Sequence, residues 1–335
     1  MNNLIIVSPD LNCNNNCIMC QNGFREEDSR FTNPKQFIEC FDRKYSELET
    51  ECRIAISGGE PTIFPGVLDV ISKIKERGFS KISLFTNGRR LSDIRFVKAL
   101  ISSGIDHFHV ALHAADEMTN TQIVRVEEAY QETISGLRNV SELKGTYEFI
   151  TLSIVHVLQE PNYRLVREFV DFIAENFVVD YLLLSNCIVE SNVFDQKKDL
   201  IVSHDALRKH LVPALAMLRD KKISFFIENL PPCVFVGFES HYFDLHKKQI
   251  DVNGFAMKTT SDKVRKSIDK YHKLSSSSEF TYSTKCDICV YRKICTGLFA
   301  TYLKKFKEDT ITPVTYQDAM MSLVNNRILN TKSCL

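Results

Sequence analysis

Leu4-Ile5-Ile6-Val7 runs through five residues into Cys13-Asn14-Asn15-Asn16-Cys17-Ile18-Met19-Cys20. The four-residue apolar run reads as a buried strand entering a loop. Asparagine tolerates left-handed backbone and bonds its own main chain, so the loop can wrap tightly. Such a loop can aim three thiolates at one centre. Three ligands on a centre that prefers four leave one position open, and an open position is where chemistry occurs. Zinc is the rival, because thiolates suit it too, but structural zinc sites pair C-x2-C knuckles and carry all four ligands. The spacing favours iron–sulfur.

The rest of the chain sets the frame for that loop. It has 335 residues, 42 Lys+Arg against 42 Asp+Glu, 44% hydrophobic and 25% charged residues, which excludes a disordered or fibrous protein. That length suits two domains, or one barrel-sized domain with an appendage. Zero net charge removes the non-specific attraction to nucleic acid or an anionic membrane. No basic segment precedes the first apolar run, so a signal peptide is not expected. No stretch reaches the roughly eighteen apolar residues of a bilayer-spanning helix. The expectation is a cytoplasmic protein with reduced thiols. Its eleven cysteines then point to metal or redox chemistry, not to disulfides.

Two further motifs follow in order. Arg53-Ile54-Ala55-Ile56 leads into Ser57-Gly58-Gly59-Glu60-Pro61, and Lys81-Ile82-Ser83-Leu84-Phe85 leads into Thr86-Asn87-Gly88. With the C-x3-C-x2-C loop, these resemble the radical S-adenosylmethionine (radical SAM) superfamily over roughly residues 1–225. The likeness continues through Ile105–His113 and through Ile150–Val155, ahead of Asn162. It implies a [4Fe–4S] cluster on Cys13, Cys17 and Cys20, with S-adenosylmethionine chelating the fourth iron. Reductive cleavage then gives a 5′-deoxyadenosyl radical that abstracts a substrate hydrogen. It also implies cofactor-binding roles for Gly58, Gly59, Glu60, Thr86, Asn87 and Asn162, the glycines by letting backbone approach the ligand and Glu60, or the carbonyls beside it, by accepting from the ammonium group. Met19 stands where the family commonly has an aromatic residue on the adenine, a place that a polarizable thioether can fill. His113 stands where relatives often have a small polar residue.

Six strand runs, at about 4–7, 53–56, 81–85, 106–112, 149–157 and 180–185, alternate with helical stretches near 34–46, 66–77, 92–102, 121–140, 163–177 and 204–219. This predicts an α/β fold, a partial (β/α)6 TIM-like barrel, with its site at the carboxyl ends of the strands. Residues 1–227 form the expected core, and 228–335 a smaller cysteine-rich extension.

In that extension Cys286-x2-Cys289-x5-Cys295, followed by Gly297, resembles the SPASM and twitch extensions that carry auxiliary clusters. Position 299 is Phe where the full SPASM pattern has a further cysteine, so one auxiliary [4Fe–4S] cluster is expected. Its fourth ligand is read as Cys233 behind Pro231-Pro232, with Cys334 or substrate as alternatives and a zinc knuckle as the rival. Cys40 and Cys52 read as buried hydrophobes. Cys187 lies just past the sixth strand, where a cysteine can return a hydrogen atom to a product radical. His109, His113 and His156 read as hydrogen-bonded core or rim residues. A basic stretch from Lys247 to Lys273 reads as a solvated face, with docking of a flavodoxin- or ferredoxin-type electron donor or an acidic peptide as the minority reading.

The function expected is a radical SAM enzyme that modifies a peptide by cross-linking or epimerization. The alternatives are oxidation or rearrangement of a sugar, aminocyclitol or nucleotide derivative, and, in another class, a zinc-binding scaffold with degenerate motifs.

Overall fold

A computed structural model describes residues 4–20, 31, 33–45, 50–243 and 280–318. Seven strands form one sheet: β1 (Leu4–Val7), β2 (Arg53–Ile56), β3 (Lys81–Thr86), β4 (Ile105–Ala111), β5 (Thr151–Leu158), β6 (Tyr181–Asn186) and β7 (Ser224–Glu228). They pair in sequence order, and every pair is parallel. Parallel neighbours in chain order need a crossover on one face each time, and the sheet curls into a partial barrel. The seventh strand goes beyond the six expected. Its Ser-Phe-Phe-Ile-Glu sequence alternates poorly, and it ends one residue past the expected boundary at 227.

The crossovers are helical: α1 (Pro34–Tyr45), α2 (Val67–Glu76), α3 (Ile94–Ser103), α4 (Glu117–Val124), α5 (Ala129–Lys144), α6 (Val166–Asn176), the four-residue α7 (Phe194–Lys197) and α8 (His204–Asp220). In α2, Val67, Val70, Ile71 and Ile74 are buried, an i, i+3, i+4, i+7 stripe that faces the sheet. The start of α3 is fixed by Asp93, whose side chain accepts from the Arg95 amide at 3.0 Å, and its end by Gly104 at φ 134°.

The stretch 121–140, expected as one helix, is two. The chain breaks at Arg125, whose φ of 57° ends α4 in a left-handed turn. That break frees carbonyls at the end of α4, and the cysteine loop takes them.

Beyond β7, β8 (Phe280–Thr281) and β9 (Leu298–Phe299) form a two-residue antiparallel ladder, followed by α9 (Ala300–Phe306). A second apolar cluster joins this part to the segment after β6. It contains Cys187, Val193, Phe194, Leu298, Tyr302 and Ile311. Cys40 and Cys52 are each 3% exposed within the main core, as expected of small hydrophobes.

Candidate active site

The loop carrying Cys13, Cys17 and Cys20 is held at several points. The Asp10 carboxylate accepts from the Leu11 amide at 2.7 Å and from Asn12 Nδ2 at 2.5 Å. From the end of β2, the Gly59 amide donates to the Asp10 carbonyl at 3.0 Å and the Glu60 amide to the Asn12 carbonyl at 2.6 Å. On the far side, the amides of Asn16 and Ile18 donate to the carbonyls of Val124 and Ile123 at 3.0 and 2.9 Å. Those are end-of-helix carbonyls with no partner inside α4.

The glycines have a reason visible in this packing. A Cβ on Gly58, whose φ is +131°, would run into the Ser8 side chain and the Asp10 carbonyl. One on Gly59 would strike the backbone of Leu11 and Asn12. The close approach that requires glycine is therefore made by the cysteine loop.

Glu60 is 1% exposed and sits at the centre of the second and third motifs. Its Oε1 accepts from the Thr62 amide at 3.0 Å, the Thr62 hydroxyl at 2.6 Å and the Thr86 hydroxyl at 2.7 Å. Its Oε2 accepts from the Asn87 amide at 2.6 Å. Burial pushes its carboxyl upward, opposed by these four donors. Asn87 extends the chain of contacts to the loop, donating to Asn14 Oδ1 at 2.7 Å with Cys13 Sγ 3.8 Å away. Arg89, which the sequence did not single out, donates to the Asn14 carbonyl at 2.5 Å and pairs with Glu132.

Asn162 stands apart from this network, at the end of β5. It is 1% exposed; its Nδ2 donates to the carbonyls of His113 and Val157, each at 2.8 Å, and its Oδ1 accepts from the Gln159 amide at 2.9 Å. His113 accepts from the Val157 amide through Nδ1 at 3.3 Å, so the two residues tie β4 to β5. His109 bonds Ser153 at 2.7 Å and stacks on Phe85, and burial lowers its imidazole well below the ordinary range. His156 is buried against Phe169 and bonds the Leu112 carbonyl at 3.1 Å. Gln159, missed in the sequence, is fully buried, and neither side-chain amide atom has a hydrogen-bond partner among the described residues.

The three loop thiols are near enough to act on one another. Burial, then Cys20 and Cys13, push the Cys17 thiol up to about 12. Burial, Glu60 and Cys20 raise Cys13. Met19, between Cys17 and Cys20, packs both on the Cys187 cluster and on the Ile123–Val124–Ala129 cluster.

The carboxyl-terminal cysteines lie near enough to Cys233 to act on it electrostatically. Burial pushes Cys233 up to about 12, reinforced by Cys295, Cys289 and Cys286. The Cys233 carbonyl accepts from Arg208 of α8 at 3.0 Å. Cys286 lies on a short 3-10 turn and Cys289 between that turn and the next, with the Cys289 amide bonded to the Cys286 carbonyl at 3.1 Å. Tyr242 holds Thr296 at 2.8 Å, and Tyr291 bonds Glu239. Cys334 and the basic stretch from Lys247 to Lys273 lie outside the described residues.

The Radical SAM superfamily model matches residues 7–181. The chain belongs to the radical SAM superfamily. It is therefore an enzyme family member with a binding site for S-adenosylmethionine and an iron–sulfur cluster. Among curated relatives, a probable GTP 3′,8-cyclase of Saccharolobus islandicus is 23% identical over 197 residues, 59% of each chain. A Pyrococcus furiosus protein described as modifying the cofactor of a tungsten-containing aldehyde ferredoxin oxidoreductase is 27% identical over 181 residues, 52% of this chain and 49% of that one. The match thus spans about three-fifths of the GTP cyclase's length or less. Among solved structures, anSMEcpe with bound AdoMet and Cp18Cys peptide aligns at a TM-score of 0.60, 16% identity and 99% of both chains. Streptococcus suis SuiB bound to its precursor peptide SuiA aligns at 0.58, with 17% identity, over 92% of this chain and 76% of that one. At such identities the likeness is one of fold.

The loop suits the radical SAM cluster on the chemistry of its donors. Among the described residues no three His, Cys, Asp or Glu side chains converge on a single-ion site. A cubane spreads its thiolates over separate irons, so neighbouring thiols on a pinned loop meet its need. A cationic core also reverses the penalty on ionising Cys13 and Cys17.

Proposed function

We propose that this radical SAM enzyme modifies a peptide and carries one auxiliary [4Fe–4S] cluster on Cys233, Cys286, Cys289 and Cys295. The observation that carries this reading is that Cys233, from the far side of a long connection, lies near enough to Cys295, Cys289 and Cys286 for each to act on its thiol electrostatically. In this reading residues 1–227 form the radical SAM core and 228–335 the auxiliary domain.

Cys13, Cys17 and Cys20 would hold the radical cluster. Gly58 and Gly59 keep that loop against β2. Glu60, or the carbonyls beside it, would meet the cofactor's ammonium, and its four donors hold that turn in shape. Thr86 and Asn87 link that hub to Cys13. Asn162 and His113 brace the mouth between β4 and β5, and Met19 supplies the apolar surface beside the cysteines. Bound there and reduced by a flavodoxin- or ferredoxin-type donor, a cluster with S-adenosylmethionine would supply the radical chemistry that removes a hydrogen atom from substrate.

Cys187 fits the role of hydrogen donor on two counts. It is 4% exposed in an apolar cluster against which both Met19 and Cys286 pack. Burial pushes its thiol up to about 12, which keeps the S–H bond that hydrogen donation needs. A recess next to it is lined by Asn186, His204, Asn229, Thr301 and Tyr302, among others, and has no lysine or arginine in its lining. The solved structures with bound peptide support the peptide reading.

The curated relatives favour a second reading, a nucleotide or other small molecule as substrate. Iron and sulfide counts on anaerobically reconstituted protein test both cluster assignments. About eight irons per chain are expected for two [4Fe–4S] clusters, and about four would remove the auxiliary one. Zinc without iron would sink the enzyme reading in favour of a scaffold. Turnover with a short peptide encoded beside this chain, and none with GTP, is the expected substrate result; the reverse pattern establishes the second reading.

A further inference from the structure

We propose that Lys197 is a positioning residue that fixes the Cys20 end of the cysteine loop and raises the reduction potential of the cluster there. The proposal rests on the reading of Cys13, Cys17 and Cys20 as cluster ligands. Lys197 ends the four-residue helix α7, in the segment that follows β6. The residues leading into it, Val193 and Phe194, are buried in the apolar cluster that contains Cys187. That burial anchors its backbone. The side chain then crosses to the amino-terminal loop, where its ammonium donates to the Cys20 carbonyl.

The groups that act on Lys197 electrostatically include Cys20, Cys187, Arg125 and Cys17. One partly buried cation therefore lies beside two of the three loop thiols and beside the thiol at the end of β6. The other end of the loop is held by Arg89 through the Asn14 carbonyl, and that guanidinium is paired with Glu132. An iron–sulfur cluster gains negative charge on reduction, and its potential follows the local charge and hydrogen bonding. A cation a few ångströms from a partly desolvated ligand stabilises the reduced form. Lys197 would thus ease electron entry while holding the loop in register with the Cys187 side of the barrel. The sequence could not have indicated this: Lys197 is one of two adjacent lysines, and Lys198 faces Asp195 instead.

The test is a redox titration of the reconstituted full-length protein, following the reduced-cluster EPR signal that changes when S-adenosylmethionine is added. That signal reports the radical cluster separately from any auxiliary one. Iron content is measured alongside. Lys197→Met should retain the cluster and shift its midpoint to more negative potential, while Lys197→Arg stays close to wild type. Loss of the radical cluster's iron in Lys197→Met, restored in Lys197→Arg, also supports the proposal, since the cation then holds the loop. An unshifted midpoint in Lys197→Met, an equal shift in both variants, or iron loss in both overturns it. Absence of a S-adenosylmethionine-responsive signal in the wild type would instead overturn the cluster assignment beneath it.

Discussion

Cys17 and Cys20 sit on a loop whose backbone is bonded to β2 and α4, and whose flanks reach Asn87 and Arg89 after β3. Cys286, Cys289 and Cys295 lie between two strands of two residues each, on and beside short 3-10 turns, with the Tyr282 hydroxyl bonded to the Cys295 carbonyl as an outside support. The first group borrows its shape from the barrel, which folds around a large apolar core. The second has little regular structure of its own, so the metal it binds would have to supply much of its folding free energy. On the proposed reading, one scaffold is made before its cluster arrives and the other would be completed by its own.

The change with the largest expected effect on this contrast is Gly59→Ala. The added methyl meets the backbone of Leu11 and Asn12, which no rotamer change relieves. The cysteine loop must lift off β2. About half the iron should be lost and 5′-deoxyadenosine formation should fall by at least ~100-fold, with the barrel still folded by circular dichroism. Full iron and near-native cleavage in this variant would break the claim that the barrel shapes the first site.

Next comes Cys286→Ser. It should also remove about half the iron, but with a different structural result. Amide exchange should speed up across 280–299 and leave β1–β7 protected. Unchanged protection in 280–299 would mean that the extension folds without metal, and the two regions would then be alike. The same experiment on Cys233→Ala examines the fourth ligand: loss of that half of the iron supports it, and retention excludes it.

A smaller effect is expected from Glu60→Gln. One carboxylate oxygen becomes an NH2 group facing either the Asn87 amide or the three donors at Oε1. Opposed donors in a buried site cost about 1–3 kcal/mol. Thermal unfolding of the apoprotein measures that cost. Binding of S-adenosylmethionine should weaken too, because Asn87 links the hub to Cys13.

These residues also mark what the sequence could and could not say. The three motifs lie at consecutive strand ends, and local order along the chain is enough to read them. The strands themselves were legible as apolar runs, apart from β7, where Phe225 and Phe226 face opposite sides of the sheet and blur the alternation. The split between α4 and α5 was not legible, because Arg125 adopts its left-handed backbone where the loop docks, not for any preference of its own. Roles that depend on contacts between distant segments stayed hidden for the same reason. Gly59 matters through Leu11, Asn162 through His113, and Lys197 through Cys20. Cys233 enters as a candidate ligand from the proline pair ahead of it and from cysteine counting, and stays a proposal.

The smallest of the expected effects is a pH dependence carried by two buried histidines of the barrel. His113 and His156 are buried at the ends of β4 and β5, and burial lowers their imidazoles to about 4 and about 3. Both are neutral in the folded and unfolded chain above the ordinary histidine value, so stability there does not depend on them. Below it the unfolded chain takes up protons that the folded barrel refuses, and stability falls as pH drops towards the folded values. Each such histidine contributes a slope of at most ~1.4 kcal/mol per pH unit in that window. Urea unfolding of the apoprotein between pH 7 and 4.5 measures it. His156→Phe should reduce the slope by about one proton, since Phe can stack on Phe169 in its place and leaves no orphaned Nε2. An unchanged slope in that variant would show that acid acts elsewhere.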